Sequence, residues 1–139
     1  MTMSSRHAHS TDPIAAFRRA EELLSRRRPL EALDALRAVL DAGSTGGSPD
    51  ASVHLLAGRA YLDSAQLRKA ESAFGRVIEI DPADHYARFA LGKALQRLGL
   101  LAEAETQLKI ASAMDPRPEY QEALGEVRAR IALADDDTP

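Results

Sequence analysis

The chain has 139 residues and a formal net charge of −3 at pH 7. This length corresponds to one domain, and 45% hydrophobic with 28% charged residues is typical of a globular protein. The absence of cysteine excludes a disulfide framework and thiolate metal sites. No stretch approaches the roughly 20 apolar residues that a membrane span needs, and the net charge gives no overall attraction to nucleic acid or an anionic membrane.

The N-terminal residues 1–11 are polar and are predicted to form a disordered arm. They lack the apolar stretch of a secretory signal, so the expected location is the cytoplasm. His7 and His9 form a His-x-His pattern with Asp12 nearby, but such a pattern on a flexible arm does not define a metal site. Asp12 followed by Pro13 predicts the start of a helix.

Two amphipathic helices are predicted next, over 13–28 and 30–42, with Pro29 ending the first. The following segment, residues 43–50, is rich in Gly and Ser and is predicted to be a flexible loop. It lacks the Gly-Lys-Ser/Thr ending of a phosphate-binding loop. Ser48 or Asp50 is expected to cap the helix that follows.

The stretch 54–82 recurs about 34 residues later, a period typical of helical repeats. The matched positions are Gly58 with Gly92, Tyr61 with Leu95, Ala70 with Ala104, Phe74 with Leu108, Val77 with Ala111, and Asp81-Pro82 with Asp115-Pro116. Small residues at Gly58, Gly92, Ala70 and Ala104 allow paired helices to approach closely. The larger members of the set fill the space between them.

The two stretches resemble consecutive tetratricopeptide repeats, of a small bacterial type. The preceding helices resemble a degenerate first repeat, because Ala32, Leu36 and Val39 match Ala70, Phe74 and Val77 at a spacing of 38. Ala20 takes the place of the family's glycine, and four extra residues fall in the loop. Asp81 and Asp115 are expected to cap the next helix, with Pro82 and Pro116 in its first turn.

Residues 118–134 predict a capping helix with one apolar stripe, and 135–139 an acidic tail. The resemblance therefore implies an all-α, right-handed superhelix of antiparallel helix pairs. The expected domain, 12–134, has three repeats at about 13–46, 51–84 and 85–118, followed by the capping helix.

No arrangement in the sequence argues for catalysis or a bound cofactor. An enzyme needs a nucleophile with a base, a metal cluster or a cofactor loop. His54 and His85 lie near helix starts without partners at ligand spacing, and the Ser and Thr residues lack a glycine-flanked elbow. The chain is therefore predicted not to be an enzyme.

The resemblance implies that the first helix of each pair lines a concave groove. These first helices sum to a charge of +7 and the second helices to −4, so a nearly neutral chain is expected to carry a basic groove. The predicted groove positions are Phe17, Glu21, Leu24, Ser52, Leu55, Arg59, Leu62, Tyr86, Phe89, Lys93, Gln96 and Arg97. Tyr86 and Phe89 beside arginine suggest aromatic anchors; the alternative is that Phe89 packs in the core and the basic residues form a solvated face.

The predicted function is a non-enzymatic protein–protein interaction module, an adaptor or scaffold, whose groove binds an acidic or amphipathic peptide. One alternative is a structural subunit that assembles through an exposed helix face, and another, disfavoured by the overall acidity, is RNA binding. The acidic tail also suggests weak self-association. Some members of the family clamp the C-terminal carboxylate of chaperones, but Phe17, Glu21, Leu56, Tyr86 and Ala90 stand at the clamp positions and do not fit.

Overall fold

The computed structural model describes residues 12–42 and 50–136. These residues form helices without any strand. The helices are α1 (Pro13–Ser25), α2 (Pro29–Ala42), α3 (Ala51–Asp63), α4 (Leu67–Ile80), α5 (His85–Arg97), α6 (Leu101–Met114) and α7 (Pro118–Asp136). The predicted arm at 1–11 and most of the predicted loop at 43–50 lie outside the described residues.

The helices form three antiparallel pairs, α1 with α2, α3 with α4 and α5 with α6, and α7 packs on the last pair. Each second helix also contacts the first helix that follows it, which stacks the pairs into a right-handed superhelix. Consecutive first helices contact one another more extensively than consecutive second helices of the described residues do. The first helices and α7 therefore form the inner, concave layer, and the predicted fold class is confirmed.

Glycines in the first helices allow each pair to close. A Cβ added to Gly58 would lie 2.6 Å from Cε1 of Phe74, and one added to Gly92 would lie 2.6 Å from Cγ of Leu108. Phe74 and Leu108 are fully buried, as is Leu36 in the first pair. The predicted packing of small residues against large ones is thus confirmed. In the first pair Ala20, also fully buried, occupies the position of the glycine.

The turn inside each helix pair repeats one backbone conformation. Arg27, Ala65 and Gly99 have φ values of 60°, 61° and 81°, which lie in the left-handed region. The following residue donates its backbone N–H to the carbonyl five positions earlier, at 2.9 Å from Arg28 to Leu23, 2.8 Å from Gln66 to Tyr61 and 2.9 Å from Leu100 to Leu95. This is the Schellman motif, and it reverses the chain tightly enough for the two helices to pack.

Helix caps differ in part from the expectations. Asp12 accepts from the backbone N–H of Ile14 at 3.1 Å and Asp50 from that of Val53 at 3.2 Å, as predicted. The prediction for Asp81 and Asp115 is wrong, because both residues follow the last turn of the preceding helix. Asp84 caps α5 instead, accepting from Ala87 N–H at 2.9 Å.

Three helix boundaries also differ from the predicted ones. Pro29 opens α2, a position that suits proline because the first helical N–H needs no intrahelical partner. Ser25, rather than Arg28, is the last residue of α1. Helix α7 continues through Asp136, so the first residues of the predicted acidic tail are helical. The predicted division into repeats stays a prediction.

Replacing Gly92 with alanine is expected to lower the free energy of unfolding by about 1–3 kcal/mol, because the new methyl group overlaps Leu108. Gly75→Ala is the matched control, since a Cβ at Gly75 meets nothing within 4 Å. The control should be neutral or stabilising by up to about 1 kcal/mol, because alanine favours a helix interior. Urea unfolding of both variants measures the difference; equal effects would contradict the close contact.

Replacing Ala65 with glycine is expected to raise the free energy of unfolding by about 0.5–1 kcal/mol. The left-handed φ of 61° costs alanine roughly 1–2 kcal/mol, and glycine removes this cost. The greater freedom of glycine in the unfolded chain offsets part of that gain in stability. Gly99→Ala is the reverse change at the equivalent turn and should destabilise by a similar amount. Thermal melts of both variants test the pair, and a fall in stability of Ala65→Gly would contradict the motif.

Candidate functional site

The predicted apolar groove positions contribute mainly to packing. Phe17 packs against the core cluster of the first two pairs, and Leu55 and Leu62 pack against the cluster of the last pairs. Leu24 is itself buried in the core. These side chains support the inner layer, and Phe17, Leu55 and Leu62 are half-buried there.

The charged groove positions change sign along the inner layer, from an acidic residue on α1 to basic residues on α3 and α5. Glu21 is exposed on α1, Arg59 is exposed on α3, and Lys93 is half-buried on α5. Arg59 and Lys93 lie 34 residues apart, so they occupy equivalent places in successive pairs. Neither makes an ion pair with any residue in the described ranges 12–42 and 50–136. Neither side chain is therefore held in an ion pair within these ranges.

Two arginines bridge neighbouring helices of the inner layer. Arg97 donates from Nη1 to the backbone carbonyl of Leu62 at 3.0 Å, and Arg130 donates from Nη1 to that of Gln96 at 3.5 Å. The accepting carbonyls lie in the last turns of α3 and α5. Arg130 is not among the predicted groove positions, because residues 118–134 predict a capping helix, although Arg130 lies one 34-residue period after Gln96.

Three aromatic rings run from the inner layer into the core. The Tyr86 and Phe89 rings lie 6.1 Å apart, and Phe89 stacks on Tyr120 with centroids 4.6 Å apart. Tyr120 is fully buried, whereas Tyr86 retains 37% of its exposure. Phe89 thus belongs to the packing between α5 and α7, and Tyr86 is the aromatic side chain that the groove presents.

The surroundings of Tyr86 carry both signs of charge. Burial raises the pKa of its phenol, Arg59 opposes that shift, and Asp63 and Glu119 add to it. Tyr86 therefore stays neutral and lies within electrostatic range of Arg59. An incoming group would meet an aromatic face with a guanidinium on one side and carboxylates on the other.

His85 holds α7 in place and is not free for chemistry. Its Nδ1 lies 2.8 Å from the Tyr120 hydroxyl, and its Nε2 lies 3.2 Å from Oδ2 of Asp115. Arg117 donates from Nε to the same carboxylate at 2.7 Å. The carboxylate predicted to cap a helix instead joins α5 to the loop before α7.

His54 lies on the outer side of α3, in a groove that it shares with Leu40, Tyr61, Ser72 and Arg76. Its Nε2 is buried and has no hydrogen-bond partner in the described part of the chain. Burial lowers the pKa of His54 below its ordinary value of 6.5, and Arg76 lowers it further, while Asp50 acts in the opposite direction. The residue is therefore an outer packing group rather than a groove ligand.

Within residues 12–42 and 50–136, no group of three or more His, Asp or Glu side chains is arranged to hold a metal ion. Within the same ranges no helix has the length and apolar character to cross a membrane.

Stacked helix pairs with a concave inner layer define an α-helical repeat protein. Two family models, each described as tetratricopeptide repeat, match residues 17–64 and 61–127. The chain belongs to the tetratricopeptide repeat family. A comparison with curated proteins finds no match.

Solved structures support the same fold. The second TPR domain of human RPAP3, in complex with the HSP70 peptide SGPTIEEVD, is 19% identical with a TM-score of 0.74 and aligns over 84% of this chain and 94% of that one. The Arabidopsis OM64 TPR domain is 15% identical with a TM-score of 0.76 over 84% and 94%. The first TPR of Spaghetti (RPAP3), bound to the HSP90 peptide SRMEEVD, is 18% identical with a TM-score of 0.76 over 88% and 98%.

The lowered pKa of His54 predicts a pH effect on stability. Below pH 6.5 His54 binds a proton in the unfolded chain, whereas in the folded chain it stays neutral until the pH reaches its lower folded pKa. This residue therefore makes the protein less stable as the pH falls from 6.5 towards that folded pKa. His54→Gln should remove that part of the dependence. Urea unfolding of both proteins between pH 8 and 5 measures the difference; parallel curves would contradict the shift.

Proposed function

We propose that this chain is a non-enzymatic interaction module that binds an acidic or amphipathic segment of another protein in its concave groove. The observation that carries the proposal is that Arg59 and Lys93, on neighbouring helices of the inner layer, make no ion pair within the described ranges. Tyr86 supplies a partly exposed ring near Arg59. Aromatic residues beside arginine are frequent energetic centres of protein interfaces.

The outer helices support this assignment by contrast. Each arginine of α2 and α4 pairs with an acid three residues away: Arg37 with Asp34 at 2.8 Å, Arg68 with Glu71 at 3.0 Å and Arg76 with Glu79 at 3.1 Å. Such local pairs compensate part of the charge of these three arginines. Arg59 and Lys93 have no such pair in the described ranges, which favours contact between the inner surface and an acidic segment.

The bound peptides of two similar structures fit the proposed chemistry. SGPTIEEVD and SRMEEVD both combine carboxylates with apolar side chains. However, buried apolar residues, Leu56 and Ala90, stand at two of the positions where chaperone-binding relatives are expected to hold a terminal carboxylate. We therefore propose an internal acidic segment as the ligand rather than a chaperone C-terminus. An adaptor or scaffold role in the cytoplasm remains a prediction from the sequence.

A second candidate function is assembly through exposed helix faces. Ile14 on α1 and Leu30 on α2 are 65% and 61% exposed, and Leu133 on α7 is 64% exposed at the other end of the superhelix. Apolar side chains at both ends would suit contacts between copies or with a larger complex. Sedimentation across protein concentration distinguishes this alternative, because the groove proposal requires no change of mass.

The groove proposal is tested with an array of 12-residue peptides whose net charge runs from about −5 to +5. Binding is expected to increase with negative charge, and Lys93→Glu should weaken the best ligand by about tenfold or more at low salt. Lys109→Glu is the matched control, since Lys109 is an exposed lysine of α6 in the outer layer. It should change affinity by less than about twofold. The proposal would be contradicted if affinity did not depend on peptide charge, or if Lys93→Glu and Lys109→Glu lowered affinity equally.

A further inference from the structure

The two bridging arginines, 33 residues apart, make the same kind of contact between successive inner helices. Arg97 of α5 reaches back to Leu62 of α3, and Arg130 of α7 reaches back to Gln96 of α5. The accepting carbonyls of Leu62 and Gln96 are 34 residues apart. Each also accepts a backbone N–H from the left-handed turn residue, Ala65 at 3.1 Å and Gly99 at 3.0 Å. The two guanidinium groups therefore occupy equivalent places one helix pair apart.

A helix C-terminus is a favourable anchor for a guanidinium. The last carbonyls of a helix carry partial negative charge, and arginine has five N–H donors in a rigid plane. Arg97 and Arg130 are otherwise exposed, so the remaining donors of each group stay available. Anchoring by one nitrogen restricts the side chain before any ligand arrives, which reduces the entropy lost when a carboxylate binds.

Arg59 and Lys93 add a second row with the same spacing. Lys93 and Arg97 lie four residues apart on α5 and therefore share one side of the helix. Packed helices lie about 8–10 Å apart, so cations in each row are expected to follow one another at about that distance. Glu21 occupies the equivalent place on α1, after allowance for the four extra residues of the loop, so the four cations lie on α3, α5 and α7, where Asp63 and Glu119 are the carboxylates near Tyr86.

From this spacing we infer that the groove recognises an extended acidic segment with a carboxylate at every third residue. A polyproline II segment advances about 3.1 Å per residue with three residues per turn, so every third side chain points the same way at intervals of about 9.3 Å. That interval matches the expected step between cations. Opposite Glu21 the segment is neutral or basic. The inference rests on the proposed function and specifies its ligand.

Two nine-residue peptides of identical composition test the spacing. One has the sequence Glu-Pro-Pro repeated three times, and the other has three consecutive Glu followed by six Pro. Both carry the same charge and are rich in proline, so they differ mainly in where the carboxylates lie. Fluorescence anisotropy at low salt is expected to give at least about fivefold tighter binding for the repeated peptide, since only its carboxylates match the cation spacing.

Arginine variants test whether the bridging groups form the site. Arg97→Gln and Arg130→Gln should each weaken binding of the repeated peptide by about three- to tenfold and reduce its salt dependence. Arg128→Gln is the control, because Arg128 is on the same helix as Arg130 but pairs with Glu105 at 3.1 Å. It should leave affinity within about twofold. Thermal melts of all three variants show which losses arise from unfolding.

The outcomes separate the two proposals. If both peptides bind equally and Lys93→Glu weakens both, the groove proposal stands and the spacing is wrong. If Arg128→Gln loses as much affinity as Arg130→Gln, the bridging arginines are not the site. If neither peptide binds while other acidic peptides of the array do, the spacing alone is overturned. If no acidic peptide binds, both proposals fall.

Discussion

The close approach of paired helices at Gly58 and Gly92 is the contact on which the architecture depends. Because these positions have no side chain, the ring of Phe74 and the methyl groups of Leu108 lie directly against the opposing backbone. That distance brings each second helix close enough to pack on the next first helix as well, so the pairs stack. The first pair reaches the same arrangement with Ala20 against Leu36, both fully buried. Because interiors are packed at crystal-like density, the inner layer has little freedom to change its curvature.

Helix α7 differs from the other first helices of the last two pairs at the glycine position. One period after Gly92 lies Glu126, which is exposed on α7. At the equivalent positions of α3 and α5, Gly58 and Gly92 contact the second helix closely. The inner face of α7 nevertheless continues the pattern, with Tyr120 stacked on Phe89 and Arg130 on the carbonyl of Gln96. Helix α7 is thus a first helix in its inner contacts and a cap in its outer ones.

The repeat, the helix pairs and the glycine contacts were predictable from sequence because each depends on residues at a fixed spacing. The candidate site was harder to predict from the sequence. Phe89 was a candidate anchor, but its stacking on Tyr120 depends on how α7 folds back, which no local pattern reveals. Asp115 looked like a helix cap because of the Asp-Pro dipeptide, whereas His85, 30 residues earlier, and Arg117 determine its actual role. In the segment 81–84 two aspartates compete for one helix start, and the end of α4 at Ile80 decides in favour of Asp84.

The cations of the two layers differ in the partners they contact. Arg37, Arg68 and Arg76 of α2 and α4 pair with acids three residues away, while Arg97 and Arg130 of α5 and α7 donate to helix carbonyls. A helix carbonyl orients a guanidinium without cancelling its full charge, unlike a carboxylate. The inner layer therefore presents oriented cations although the whole chain has a net charge of −3. Net charge measures solubility, whereas the arrangement of partners around each cation determines which surface attracts an acidic segment.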